Sequence, residues 1–235
     1  MGHLLSARRV VCCSVVSLCV IASSATAVSG ATTSTDQKTA AAGKLVLQDV
    51  PTGWRETPDT SDEAKTDAAM AEVPACKKWL AARKSVRTLP NAQSAKFTSG
   101  DDVASNQVYV FPSVVKARQT MKLYRSAQTR ACLQTSLENF MEASAAANSQ
   151  VSDVAVTVGP ENVEPIGDEV SAYATGISAT YKSGLSESVY VESEAVRIGR
   201  VVSVFAFQSN VDDYPLSNIA PDAMSRSLDR IPATT

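Results

Sequence analysis

Val201-Val202-Ser203-Val204-Phe205-Ala206-Phe207 is apolar at odd and even positions alike. Successive side chains of a strand point to opposite faces, so a strand that is apolar on both lies inside a sheet covered on both sides. Two further strands precede it, Val170–Tyr181 and Ser188–Arg197, and the run itself extends over Arg200–Gln208. Lys182-Ser183-Gly184 and Ile198-Gly199 join the three. Connections that short force an antiparallel meander.

Working outward, Val151–Val158 alternates as a strand before Gly159-Pro160. Ser113 caps a long helix, in which Val114, Ala117, Met121, Tyr124 and Ala131 keep an approximately helical spacing, continued by Leu133, Leu137, Phe140 and Met141. Asn106–Phe111 is a strand closed by Pro112, and Ser94–Thr98 is a shorter one. Asp62–Ala82 reads as a helix that Pro74 divides in two. Pro51 and Gly53 mark a turn that Trp54 pins to the core, and a last helix begins near Pro221. The expected fold is α+β. An antiparallel sheet, its C-terminal strands a meander, packs against the long helix. The second cover of the central strand is either the remaining helices or a partly open cleft.

The N-terminus reads as an export signal over residues 1–27. Arg8 and Arg9 give its positive end, Val10–Ala22 its apolar core, and Ala25-Thr26-Ala27 an A-x-A cleavage site. The core is shorter than the roughly 20 apolar residues of a spanning helix. No small residue immediately precedes Cys19, so a lipid anchor finds no support. Residues 28–43, rich in Ala, Thr and Ser, read as a flexible tether, and the domain as 44–235. The chain is thus expected to be secreted or held in the cell envelope, with no retained transmembrane segment.

Cleavage would remove two of the 22 Lys and Arg and none of the 24 Asp and Glu, which leaves 20 cations against 24 carboxylates. No basic cluster stands out, and nucleic acid is set aside as a partner. Cleavage would also remove Cys12, Cys13, Cys19 and the single histidine, His3. Without histidine there is no Ser-His-Asp or Cys-His catalysis, and almost no zinc site. Cys76 and Cys132 remain, and in an oxidising compartment an even pair reads as a disulfide. A reactive thiol is the rival reading; Lys77 and Lys78 flank Cys76 but no histidine is at hand.

Ser113-Val114-Val115-Lys116 has the S-x-x-K spacing of penicillin-recognising enzymes, and Lys182-Ser183-Gly184 is similar to their K-T-G element. The S-x-N element is missing, the two motifs are too close, and the second sits at a hairpin turn. Ser113 as a helix cap accounts for the same residues. A serine acyl-transferring enzyme using Ser113 and Lys116 is therefore a remote alternative. Carboxylate pairs occur at Asp101-Asp102, Asp212-Asp213 and Glu192/Glu194, the last on one face of a strand. They read as solvated surface charge rather than as a calcium site or a glycosidase pair. Tyr109, Phe111, Tyr173, Tyr181 and Tyr190 are the candidate lining of a ligand cleft, with strand-core packing as the plainer reading.

Taken together, Val50-Pro51-Thr52-Gly53-Trp54, Cys76 before a short helix, Val110-Phe111-Pro112-Ser113, Cys132, Gly167-Asp168-Glu169 and Val196-Arg197-Ile198-Gly199-Arg200-Val201-Val202 form an ordered pattern. It resembles the exported sensor-domain proteins of actinobacteria related to the PknH-like extracellular domain. The resemblance implies a disulfide-stabilised α+β fold, a cleft for a small ligand, and no catalytic residues. The chain departs from the kinase-linked members in its one expected disulfide and in having no kinase domain or retained transmembrane helix. The expectation is a sensor-like binding module, without enzymatic activity, cofactor or metal, that takes a small molecule or lipid. A structural or protein-interaction module with an envelope protein as partner is the alternative.

Overall fold

The computed structural model describes residues 34–58, 63–210 and 216–232. The expected signal segment and the Asp212-Asp213 pair lie outside the described residues. Eight strands form one antiparallel sheet: β1 (Arg55–Thr57), β2 (Asn91–Gln93), β3 (Lys96–Ser99), β4 (Asp102–Val110), β5 (Val151–Glu161), β6 (Glu169–Tyr181), β7 (Ser186–Ile198) and β8 (Val201–Asn210). Their order is β1-β3-β4-β8-β7-β6-β5, with β2 also on β4. The expected meander is present as β6-β7-β8, and β5 extends it. The apolar run on β8 is central, between β7 and β4.

The helices among the described residues are α1 (Ser34–Ala42), α2 (Glu63–Ala71), α3 (Lys77–Val86), α4 (Val114–Tyr124), α5 (Ala127–Ala146) and α6 (Leu216–Leu228). The long helix expected after Ser113 is thus two. The break falls at Arg125-Ser126, where the Ser126 hydroxyl accepts from the Thr129 amide and caps α5. Pro74 divides the preceding helix as expected, by opening a short 3-10 turn, Pro74–Cys76. Pro221 lies inside α6 rather than at its start, one turn after Leu216.

Two cores follow from the two apolar faces of the sheet. On the first face, Val202 and Val204 of β8 and Val191 and Ala195 of β7 meet Met121 and Tyr124 of α4 and Leu133, Leu137 and Met141 of α5. On the second, Phe205 and Phe207 of β8 and Ala104 and Val108 of β4 meet Ala40 of α1 and Ala220, Ala223, Met224 and Leu228 of α6. Trp54 packs into this second core, as its turn position predicts.

The tether expected over 28–43 needs correction in its second half. Residues 34–42 form α1, with Thr39 and Ala40 buried and Arg200 bonded to Asp36 at 2.5 Å. The Ala-rich composition that reads as flexible is also the best helix-forming composition. Contact with the sheet decides between the two.

Cys76 and Cys132 form the expected disulfide and tie the start of α3 to α5. Gly167 turns the chain into β6 at φ 65°. A Cβ there would come within 2.8 Å of the Arg197 carbonyl oxygen, so only glycine fits the turn.

Candidate functional site

Strand alternation sorts the candidate aromatics onto different faces. Tyr109, Phe111 and Tyr173 lie together in the first core. The Tyr173 hydroxyl donates to the carbonyls of Tyr124 and Ser126, its ring sits 5.3 Å from that of Tyr124, and burial pushes its phenol up to about 12. Tyr181 is buried at the end of β6, with its hydroxyl donating to Glu187 at 3.0 Å. Tyr190 belongs to the second face and donates to Glu161 Oε1 at 2.9 Å. These residues do not line one cleft. The first three have the packing of a core, and Tyr190 alone faces a carboxyl cluster.

That cluster is the unexpected feature of the second face. Register places Glu161 of β5 opposite Ala172 of β6, and Ala172 opposite Glu194 of β7. The next rows carry Gly159, Ala174 and Glu192, then Thr157, Gly176 and Tyr190. Small side chains on β6 leave room above it. Tyr190 reaches diagonally over that strand to Glu161. Gly176 belongs to the same trough, since a Cβ there would stand 2.9 Å from Thr157 Oγ1.

Glu192 and Glu194 are not solvated surface charge, which corrects the expectation from sequence. They are 7% and 2% exposed. Their partners across the β7–β8 hairpin are Phe207 and Phe205, deep in the second core. Burial is the first cause of the raised proton affinity of both, and the neighbouring carboxyls add to it. Glu194 is pushed up to about 9. At neutral pH it is an acid and a donor. The hydrogen bonds run from Glu194 to Glu192 and from Glu192 to Glu161, where Tyr190 donates from the other side. Among the described residues, no cation forms an ion pair with Glu161, Glu192 or Glu194. Glu161 Oε2 and Glu194 Oε2 are buried with no hydrogen-bond partner.

The cluster had one legible signal. β8 reads as covered on both faces, so the even-numbered β7 residues opposite Phe205 and Phe207 must be covered too. Glu161 gave none, because it ends β5 beyond the Val158 boundary expected for that strand.

Ser113 is an N-cap. Its hydroxyl accepts from the Lys116 amide at 3.3 Å, and both residues are exposed. Lys182-Ser183-Gly184 makes the β6–β7 turn, with Gly184 at φ 83° and its amide donating to the Tyr181 carbonyl at 2.8 Å. No group of three or more His, Cys, Asp or Glu among the described residues is arranged to hold a metal. Among the same residues, no helix is long and apolar enough to cross a membrane.

No family model matches the chain, and no curated protein matches it. Among solved structures, the chain is similar to the extracellular domain of PknH from Mycobacterium tuberculosis. The two share 12% identity at a TM-score of 0.34, over 73% of this chain and 91% of that one.

Proposed function

We propose that this chain is an exported, non-enzymatic binding module, and that it takes a small molecule rich in hydrogen-bond donors over the carboxyl cluster of the second face. One observation carries the reading. Glu194 Oε2 is an acceptor on a side chain 2% exposed, and among the described residues it has no hydrogen-bond partner and no cation compensates its site. A buried polar atom without a partner costs roughly 1–3 kcal/mol, a cost that stability alone would remove by an apolar substitution. Strongly shifted carboxyls in such a place are a mark of functional sites. An amine set between Glu194 Oε2 and Glu161 Oε2, with an N–H for each, would satisfy both.

Binding without transformation fits the residues at hand. Glu192 and Glu194 hydrogen-bond to each other, closer than the roughly 5 Å by which carboxyls flank a scissile glycosidic bond. The only histidine is His3, and Cys76 and Cys132 are joined to one another. A protein-docking module would use a broad apolar patch. The large exposed hydrophobics among the described residues are the neighbours Val46 and Leu47 after α1, Val115 in α4 and Leu185 in the β6–β7 turn, three separate places.

Native mass spectrometry of the purified protein tests the proposal. The expected result is a co-purifying mass that organic solvent removes and that the Glu194→Gln and Glu161→Gln variants fail to retain. A clean apo mass, together with no binding across a panel of envelope lipids and polar metabolites, overturns it.

A further inference from the structure

The first face holds a second set of unsatisfied groups, separate from the carboxyls. Gln107 of β4 and Gln208 of β8 are both 0% exposed. Both amide atoms of each, Nε2 and Oε1, lack a hydrogen-bond partner. Register fixes their relation. Gln107 stands opposite Val204, and Gln208 stands opposite Val103 and Val191. Between them runs the row Ser105, Ala206 and Ser193. All of these positions share the face of Val202 and Val204.

The intervening row carries small side chains, and register places the two glutamines on one face at either end of it. Tyr124 meets that row, with its hydroxyl 2.7 Å from Ser193 Oγ. Trp79 stands against Tyr124 at 6.1 Å between rings, and its indole Nε1 is likewise buried without an acceptor. Gln107, Gln208 and Trp79 thus carry five buried polar atoms with no protein partner: three N–H-bearing nitrogens and two carbonyl oxygens. Buried amides are almost always satisfied, and a site where two are wholly unsatisfied asks for an occupant. Amides offer donors and acceptors side by side, with no charge. The matching ligand is small and uncharged, and it presents a donor and an acceptor together.

We infer that Gln107, Gln208 and Trp79 form a second, internal binding site for an uncharged small molecule of the carboxamide or urea class. The site lies on the opposite face of the sheet from the carboxyl cluster, and its occupancy does not depend on Glu161, Glu192 or Glu194. A donor–acceptor pair on the ligand bridges the glutamine carbonyls and amides. The indole N–H adds one more donor toward a ligand oxygen.

The test uses the purified, nitrogen-15-labelled protein, with acetamide as probe and benzene as the apolar control. Acetamide is expected to shift the side-chain N–H signals of Gln107 and Gln208 and the Trp79 indole signal, together and saturably, while benzene leaves them in place. Gln107→Leu/Gln208→Leu should weaken acetamide binding by about tenfold or more, the loss of two hydrogen-bonding side chains. Glu194→Gln should leave it unchanged, which separates this site from the carboxyl cluster. Glutamine and indole signals unmoved by acetamide overturn the inference. So does long-lived internal water at those N–H groups that acetamide does not displace. The titration of the unsubstituted protein decides alone if the double variant fails to fold.

Discussion

Glu192 and Glu194 sit two residues apart on one face of β7 and hydrogen-bond carboxyl to carboxyl inside the second core. Two carboxylate ions cannot make that bond. One proton must be held between them, and the fold holds it well above the ordinary range of a glutamate.

Stability should therefore fall as pH rises. Glu194 binds its proton more tightly folded than unfolded, with an unfolded value of 4.5 and a folded value of about 9. Its contribution is complete below the first value and is lost as pH climbs through the second. Thermal melts at about pH 5, 7 and 9 should show a declining Tm beyond that of Glu194→Gln, which donates without titrating. At the alkaline end the variant should be the more stable protein. Parallel curves for the two would count against a shared proton.

The disulfide closes a loop with a sequence separation of 56. Chain entropy assigns such a crosslink about 4 kcal/mol. Urea titration of Cys76→Ala/Cys132→Ala should show a loss of that order, because the crosslink closes a long loop between α3 and the helix that packs on β5. A loss under about 1 kcal/mol would mean that the unfolded chain gains little freedom from the cut.

Asn106 is fully buried and serves three partners. Its Oδ1 accepts from the Leu45 amide at 2.8 Å, and its Nδ2 donates to the Gly43 carbonyl at 2.8 Å and to Ser203 Oγ at 3.0 Å. The side chain ties the segment after α1 to the sheet. Asn106→Ala should cost about 2–4 kcal/mol, since it strands buried backbone groups as well as removing bonds. Limited proteolysis should then cut near Gly43 sooner than in the parent.

Ser113→Ala should lose about 1 kcal/mol, the usual worth of an N-cap. A β-lactam probe should leave Ser113 unlabelled in the parent protein. Covalent labelling there would revive the acyl-transfer reading, which requires a nucleophile rather than a cap.

What could be read from the sequence was whatever local chemistry decides. The β6-β7-β8 meander follows from two turns too short for any crossover. The Ser113 cap and the division at Pro74 follow from single residues. The Cys76–Cys132 bond follows from these two being the cysteines outside the expected signal segment. Three misreadings share another cause, which is contact between distant segments. Residues 34–42 look like a tether until the sheet is present to bury Ala40. Glu192 and Glu194 look like surface charge until Phe205 and Phe207 stand beside them. Tyr190 shares a residue type with Tyr173 and Tyr181, but strand parity and its place on β7 put it on the other face.

The central place of β8 sets the order in which the molecule can close. β8 is the seam between β4 and β7, and it pairs Asn106 with Phe205, far apart along the chain. Until Val201–Asn210 is available, β4 and β7 each present an open edge, and an open edge is a template for pairing with another chain. A nascent or truncated chain ending before Val201 is thus two sheets in search of a partner. The last strand is what makes it one protein.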